Sequence, residues 1–440
     1  MRNSGKRIFS DLSFMSTDRF IEKCRLLKEN HFTRKRKMPL NNLLLSVIFR
    51  KGRSLYMELR SFQKLFKMKA QISKPGYLKQ RMKLNPEALK MLAKHHAEQF
   101  YNDPNAVKTC KSHLILAIDG TSLNTPLTEE NLTAYGSTAK HGGRPRPQIG
   151  LSCLFDVLNR VIIDMNTASC KFNERTEAIS HIDNTIEVTG EKPCIYIFDR
   201  GSPSGEFFLD VLERNVNFLV RLGSSSFRRE QKGMNTCDCM VKIIFDKTRI
   251  AACKKEVSAN RLAAAGSIDL RFIHIKLDNG DDEYLATNIS DTLFNTEEVF
   301  ALYRLRWGIE TVFDDLKNKL QIENFTGAKP VIMEQDIYAT IYLSNIINDI
   351  MQDISTESAN ISAYSRKHEM QLNRNIAIGI IKEDLILVVL EKRHRKRISM
   401  MESIIREIES NILPVRPDRN FSRPVGKLAS KYSNVRKRAY

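Results

Sequence analysis

LILAID, residues 114–119, is a short apolar run that ends on a carboxylate. A run of this length, rich in Ile and Leu, predicts a buried β-strand. Two further strand candidates follow, IGLSCLFDV at 149–157 and RVIIDMNTAS at 160–169, and the turn near Leu158 and Asn159 predicts that they form a hairpin. The first part of the fold is therefore predicted to be three strands.

Helical and strand-like patterns alternate after this hairpin. They give the helix 174–187, the strand 193–199, the helix 205–215 and the strand 217–222. Three strands, helix, strand, helix, strand is the element order of the ribonuclease H-like fold, an α/β (α+β) class in which the first strand is central and the fourth lies beside it. That order would bring Asp119 and Asp199, which end the first and fourth strands, together at one edge of the sheet.

The composition indicates a partner with negative charge. The chain has 440 residues, with Lys and Arg exceeding Asp and Glu by 19 and a sequence pI near 9.5. Such a surface favours polyanions, with nucleic acid first and an acidic membrane surface second. No apolar run approaches the roughly 18 residues of a membrane span, so we expect a cytoplasmic protein with no membrane partner. The eight scattered cysteines are typical of reduced thiols.

Changes in the residue pattern along the chain predict several structural domains. They are a helical DNA-binding domain at 1–108, a ribonuclease H-like catalytic domain at 109–222 and 296–355, a β-rich insertion at 223–295, a C-terminal helical region at 356–413 and a basic tail at 414–440. The first unit carries the basic cluster Arg34, Lys35, Arg36 and Lys37, and a second basic run, Lys140, His141, Arg144 and Arg146, follows the first strand. A helical bundle with a solvated basic face is the alternative interpretation of the first unit.

A long helix is predicted from about 295 to 321, and one of its faces is unusual. At 100° per residue, four side chains project within roughly a 60° arc: Tyr303, Arg306, Glu310 and Lys317. An adjacent apolar stripe is formed by Leu302, Leu305, Ile309, Val312, Leu316 and Leu320. Asp314 falls on the same polar face, so periodicity alone leaves Glu310 and Asp314 open as the third acid. An amphipathic helix with solvated charges is the alternative.

Carboxylates that converge on one point repel one another unless cations lie between them. Asp119 and Asp199 would meet at the sheet edge, and Glu310 on the later helix would close the site from above. Mg2+ or Mn2+ is the expected occupant, because these hard ions take oxygen ligands and bridge phosphate oxygens.

Three segments together resemble a known family. YRLRWGIETVFDDLK (303–317) matches Y-x2-R-x3-E-x6-K at every specified position and is similar to the signature of DDE transposases from a large group of cut-and-paste bacterial insertion sequences. LAIDGTSLNTP (116–126) and YIFDRGSPSGEFF (196–208) resemble the first and second carboxylate motifs of the same group. The resemblance covers about residues 112 to 320. It assigns the third acid to Glu310 and makes Asp314 a bystander.

The resemblance implies a mechanism and a set of roles. Asp119, Asp199 and Glu310 would hold two Mg2+ ions, for which Mn2+ substitutes, that activate the nucleophile and stabilise the leaving oxygen. The enzyme would cut DNA at the terminal inverted repeats and join the freed 3′-hydroxyl to target DNA, and relatives excise through a hairpin. Tyr303, Arg306 and Lys317 would bind phosphates, and Trp307 would stack on a displaced base or simply pack at the helix edge.

The same resemblance implies a bacterial protein that is nucleoid-associated when bound to DNA, and it also bears on assembly and on alternative functions. A transposon has two ends, so we expect a homodimer in the synaptic complex. Two other functions remain open at this stage: a domesticated protein that binds DNA without cutting it, and another ribonuclease H-like nuclease. The intact motif positions argue against the first, and the Y-x2-R-x3-E-x6-K helix argues against the second.

Overall fold

The computed structural model describes residues 2–33, 37–137, 146–253, 255–277, 280–359 and 370–415. Within these ranges the chain begins with short helices, α1 (Asn3–Phe14), α2 (Asp18–Lys23), α3 (Leu40–Ile48), α4 (Leu55–Leu65), α5 (Lys74–Arg81) and α6 (Pro86–Tyr101). Polar caps fix several of their starts: the side chain of Ser73 accepts a hydrogen bond from Gly76 N at the start of α5, and Asn85 caps α6. α6 packs along the later helix α15 (Pro330–Ala359).

The centre of the molecule is a mixed sheet. Its first strands are β1 (Leu114–Asn124), β2 (Gln148–Asp156), β3 (Val161–Ser169), β4 (Cys194–Phe198) and β5 (Asn217–Leu222), with α7 (Glu129–Tyr135), α8 (Glu174–Thr189) and α9 (Gly205–Glu213) between them. β2 pairs antiparallel with both β1 and β3, whereas β4 runs parallel to β1 and β5. The resulting order, β3-β2-β1-β4-β5, confirms the predicted hairpin and the predicted ribonuclease H-like fold.

The segment 223–295 continues this sheet. It contains α10 (Arg228–Lys232), β6 (Asp238–Ile244), α11 (Lys247–Ala251), α12 (Glu256–Ala265), β7 (Ser267–Lys276) and β8 (Asp282–Thr287). β8 pairs antiparallel with β5, and β7 and β6 follow outward, so the sheet has eight strands. Because β8 pairs with the edge of β5, the strand-rich segment predicted from the sequence is hydrogen-bonded to the sheet formed by β1 to β5, and β6 is the far edge strand.

The prediction of one continuous helix from about 295 to 321 is wrong in its continuity, because the structure interrupts this helix. α13 (Thr296–Arg304) ends before α14 (Trp307–Asp314), and a π-helical turn (Asp315–Lys319) follows. The side chain of Asn295 and that of Glu298 form a capping box at the start of α13. After α15 come β9 (Met370–Leu372), α16 (Arg374–Leu390), α17 (His394–Ser410) and β10 (Ile412–Pro414), and β9 pairs with β10.

Side chains of β1 alternate between the two faces of the sheet. Even-numbered residues such as Leu116 pack in the cluster that contains α8 and α9 residues. Ala117 packs instead in the cluster that includes Ile309 of α14, and Ile115 packs in the cluster that includes Leu302 of α13. The sheet therefore separates α8 and α9 on one face from α13, α14 and α15 on the other, and odd-numbered residues of β1 face the second group. No helix in the described ranges is long and apolar enough to cross a membrane.

Candidate active site

Asp119 and Asp199 are brought together by strand register. β1 and β4 pair in parallel with Ala117 opposite Ile197, so a step of two residues along each strand places Asp119 opposite Asp199. Because side chains alternate along a strand, both acids stay on the face of Ala117 and Ile197, toward α13 and α14. The sequence motif and the sheet topology thus agree on where these carboxylates lie.

Arg306 stands among all three predicted acids. Its Nη2 lies 3.0 Å from Glu310 Oε1 and 3.9 Å from Asp199 Oδ1, and its Nη1 lies 3.6 Å from Asp119 Oδ2. The residue is only 5% exposed. Burial alone would lower the pKa of Arg306, but the surrounding charges, that of Asp199 foremost, raise it, so the guanidinium remains charged. One buried cation therefore lies among three carboxylates and offsets only part of their negative charge.

The break between α13 and α14 aims Arg306 at the sheet. Arg306 N donates to Tyr303 O at 3.0 Å and Ile309 N donates to Arg306 O at 3.0 Å, so the chain here makes tight three-residue turns. The break also corrects the predicted apolar stripe. Leu305 is 37% exposed, because the turn rotates it out of the stripe, while the other five members are buried.

Tyr303 and Trp307 lie on either side of Arg306. The Tyr303 hydroxyl donates to Asp199 Oδ1 at 3.5 Å, and burial raises the pKa of this phenol well above its ordinary value, so it stays protonated. Trp307 is half exposed, and its ring centroid lies 5.7 Å from Arg306 Cζ. This spacing is within the range of a cation–π contact. Tyr303 is therefore part of the buried wall, and Trp307 forms the open rim.

Lys317 reaches β1 from the π-helical turn. Its Nζ donates to Thr121 Oγ1 at 2.5 Å, and Thr121 is two residues beyond Asp119 on the same face of the strand. Burial lowers the pKa of Lys317, and the charge of Glu323 partly opposes that effect. The four side chains predicted to share a helix face thus all lie on the Asp119 side of the sheet, although the helix that carries them is not continuous.

Asp314, the competing acid, points elsewhere. It is exposed, and its carboxylate accepts a hydrogen bond from Asn318 one turn later. Among the described residues, Arg306 forms ion pairs with Asp119, Asp199 and Glu310 but not with Asp314. The geometry of α14 therefore favours Glu310 over Asp314 as the third acid, because the Glu310 carboxylate contacts Arg306.

Glu174 and Phe172, which precede or begin α8, were not predicted from the sequence. The charge of Glu174 is close enough to raise the pKa of Asp119, and its Oε2 would lie 3.2 Å from a Cβ on Gly201. The ring of Phe172 lies against Gly120. The only sequence signal for these neighbours was the helix start at Asn173, whose side chain caps α8.

The electrostatics of Asp119 fit an ion-binding role. Burial raises the pKa of its carboxyl to about 6, against the lowering effects of the Gly120 N–H and Arg306, while the charges of Asp199 and Glu174 add to the increase. Carboxylate oxygens are the ligands that Mg2+ and Mn2+ prefer, so the donor set suits such ions. In the described ranges no three acidic, His or Cys side chains already stand at metal-ligand spacing. Arg306 lies among the carboxylates, so binding an ion requires side-chain rotation.

Several predicted DNA contacts lie outside the described residues. These are Arg34, Lys35 and Arg36 of the first basic cluster, Lys140, His141 and Arg144 of the second, and the tail from residue 416 onward. Lys37 and Arg146 are described.

Comparison with known proteins identifies a family across the same region. The profile of the family described as "Transposase DDE domain" matches residues 111–346, which is more than half of the chain. This range contains both strand acids and the helix with Glu310.

Individual relatives match over shorter stretches. The putative transposase InsL for insertion sequence element IS186A of Escherichia coli strain K12 is 28% identical over 115 residues, or 25% of this chain and 27% of the relative. The transposase for insertion sequence element IS421 of Escherichia coli matches to the same extent. The chain thus spans about a quarter of the length of these curated relatives. A solved piggyBac transposase synaptic complex with hairpin DNA has a TM-score of 0.45 and 11% identity, covering 90% of this chain and 84% of that one.

Proposed function

This chain belongs to the family of transposase DDE domains, and from that membership we propose that it cuts DNA at the ends of an insertion sequence and joins those ends to target DNA. The family match covers the ribonuclease H-like strands and the catalytic helix. The activity, the DNA substrates and the assembly of the whole protein are our proposal.

One observation carries the assignment of the catalytic residues. Asp119, Asp199 and Glu310 come from two strands and a helix that are far apart in the chain, and all three lie within 4 Å of the guanidinium of Arg306. The side chains of the three acids remain 24%, 42% and 34% exposed, so they line an open site that a phosphate group can reach. This convergence supports their role as the acids that bind the reacting phosphate group through metal.

Divalent metal would supply the chemistry that the side chains lack. Two ions, Mg2+ or Mn2+, held by Asp119, Asp199 and Glu310, would lower the pKa of the attacking hydroxyl or water and neutralise charge on the phosphate. The oxygen-only donor set supports this proposal.

The other side chains would bind and orient DNA. Arg306 offers a charged, forked donor next to the acids, and Lys317 offers a point charge on the same face of the sheet. Tyr303 would keep Asp199 oriented through its protonated hydroxyl. Trp307, half exposed at the rim, presents an aromatic face on which an unpaired base could stack.

The proposed partners are the terminal inverted repeats, target DNA and a second copy of the chain. A net charge of +19 supports binding to DNA through phosphates. A homodimer would hold both transposon ends while each subunit provides one set of acids.

The proposed role of the three acids is tested by substitutions that remove the negative charge of the side chain but keep its size. Asp119→Asn, Asp199→Asn and Glu310→Gln should each abolish Mg2+-dependent nicking of duplexes that carry the DNA flanking the gene, with DNA affinity largely retained. Asp314→Asn is the matched control and should cut normally. Gel assays of cleavage and binding give both readouts. Normal cutting by any of the first three variants would remove that residue from the site, and loss of cutting in the control would reinstate Asp314.

A further inference from the structure

Asp315 is a buried carboxylate next to the site that the proposed chemistry does not use. Its side chain is 1% exposed. Three cations contact it: Arg160 Nη2 lies 3.4 Å from Oδ2, Lys319 Nζ lies 2.6 Å from Oδ1, and Arg374 Nε donates to Oδ2. A charge so deeply buried persists only with such partners.

Asp315 also begins the π-helical turn. Leu320 N donates to Asp315 O at 2.9 Å, a bond that spans five residues where an α-helix spans four. The wider turn rotates the residues within and after it relative to a regular helix. Lys317 is the central residue of this turn, so its reach to Thr121 on β1 depends on the turn being kept.

The cations around Asp315 are themselves anchored to other elements. Arg374 is the first residue of α16, and its Nη1 lies 3.5 Å from Met351 Sδ of α15. Arg160 lies in the β2–β3 turn, where its carbonyl oxygen accepts a hydrogen bond of 2.6 Å from Asn348 of α15. Asp315 is thereby fixed against α15 and the start of α16, which lies outside the region matched by the family profile.

We propose that Asp315 is a positioning residue: its ion pair with Arg374 fixes the π-helical turn and so holds Lys317 against β1 beside Asp119. Through this pair the C-terminal helix α16 acts on the site without touching it. The effect on DNA cleavage rests on the proposed function, whereas the effect on Lys317 does not.

Hydrophobic burial does not replace this ion pair. Leu316 and Leu320 are buried on either side of Lys317 and hold the segment onto the core. These two leucines fix how deeply the segment is buried, but an apolar contact has no directional preference that would select a π turn over an α turn. A charged pair with defined donor and acceptor atoms does have one.

The test uses Arg374→Gln in the full chain. This change removes one cation and leaves Arg160 and Lys319 to neutralise Asp315, so the fold is expected to survive. Arg374→Lys is the conservative variant. Arg393→Gln is the matched control, because Arg393 belongs to the same C-terminal region, is 73% exposed and pairs at 3.4 Å with Glu391, away from the site.

Two measurements are made on each variant. The first is the rate at which acetic anhydride labels Lys317 in the free protein, followed by mass spectrometry. The second is the single-turnover rate constant for cleavage of a duplex carrying the DNA that flanks the gene, together with the dissociation constant of the protein–DNA complex. The labelling rate reports the position of Lys317 directly and requires no DNA.

Arg374→Gln should raise Lys317 labelling severalfold and lower the cleavage rate constant by about tenfold or more, while the dissociation constant changes little. Arg374→Lys should bring both the labelling rate and the cleavage rate constant part of the way back to the wild-type values, and Arg393→Gln should match the wild type. Unchanged labelling, an unchanged rate constant, or an equal effect of Arg393→Gln overturns the proposal. If the wild type itself does not cleave, the proposed function fails, and the labelling comparison alone decides whether Arg374 holds the turn.

Discussion

His96 is a buried imidazole held between two carboxylates. Its Nδ1 lies 2.7 Å from Asp11 Oδ2 and its Nε2 lies 3.5 Å from Asp349 Oδ2, which joins α1, α6 and α15. Burial alone would lower the pKa of His96, but the charges and hydrogen bonds of Asp11 and Asp349 raise it to about 9. The ring is therefore protonated in the folded protein at neutral pH, where an unfolded chain would have lost most of that proton.

The free energy of unfolding should therefore depend on pH on the alkaline side. Because the folded pKa of about 9 exceeds the ordinary 6.5, the contribution of His96 is complete below pH 6.5 and is lost as pH rises through 9. The shift corresponds to roughly 3 kcal/mol. Urea unfolding at pH 6 and pH 9 measures it. His96→Gln should remove this slope, and His95→Gln, which changes the neighbouring ring on Asp11, should keep it. A slope that survives in His96→Gln would assign the effect to another group.

At the scale of elements, β1 and β2 carry glycines where another element approaches closely. A Cβ on Gly120 would lie 2.6 Å from Phe172 Cζ, and one on Gly150 would lie 2.7 Å from Ser169 O. No side chain fits at these distances without movement of the ring or the backbone. Gly120 N also donates to Asp119 Oδ1 at 2.8 Å, so the packing of this part of β1 is coupled to the first acid.

Gly120→Ala should destabilise the protein by about 1–3 kcal/mol, because the Phe172 ring must be displaced. It should also slow cleavage, since the displaced strand carries Asp119. Gly379→Ala in α16 is the control: its Cβ would meet nothing within 4 Å, and the change should be neutral or stabilising by about 0.5–1 kcal/mol. Thermal unfolding gives both values. Adding Phe172→Leu to Gly120→Ala should restore stability, and failure to do so would show that the clash lies elsewhere.

Periodic apolar patterns in the sequence correctly predicted the strands and helices whose buried faces produce those patterns. The apolar run at 114–119 became the central strand, and the alternating order of helices and strands predicted that Asp119 and Asp199 would be neighbours. Periodicity could not predict the break at Leu305 and Arg306, because it assumes one uniform helix. Periodicity also could not predict the π-helical turn at Lys317, because that turn depends on contacts between Asp315 and basic side chains from distant parts of the chain.

Residues that lie beside the site but outside the three motifs could not be predicted from the sequence either. Glu174 affects the pKa of Asp119 only because β1 and the start of α8 meet in space. Family resemblance selected Glu310 over Asp314, and the side-chain geometry of α14 then supported the choice. The position of 223–295 in the main sheet depended on a pairing between β5 and β8, which no local pattern encodes.

At the scale of the whole molecule, the excess of 19 basic residues predicts salt-dependent DNA binding. Each phosphate contact releases condensed counterions, so log affinity should fall linearly with log salt by about 0.9 per contact on duplex DNA. Filter binding between low and moderate salt measures the slope. Asp119→Asn should show the same slope as the wild type, because the proposed role of this acid is to bind metal and not to contact DNA phosphates. A nearly flat plot would contradict phosphate-dominated binding.

A dimer that cuts in trans should show complementation between mutants. One variant carries Asp119→Asn with all basic residues intact, and the other retains the acids but has Ala in place of Arg34, Lys35, Arg36 and Lys37. Neither should cut alone, whereas the mixture should regain cleavage at one active site per pair, because DNA held by one subunit is cut by its partner. Gel analysis of the mixture measures this. An inactive mixture of two folded variants would indicate cutting in cis, or end binding by residues outside this cluster.

The far edge of the eight-stranded sheet has a consequence for the behaviour of the protein at high concentration. Among the described residues β6 pairs only with β7, and its outward side chains include Met240 and Ile244, which are 65% and 47% exposed. An open edge with apolar side chains can serve as a template for aggregation. Lys242, also exposed, lies between these two residues, and its charge disfavours the stacking of identical edges. The charge of Lys242 is therefore expected to help to keep the protein dispersed during expression and purification.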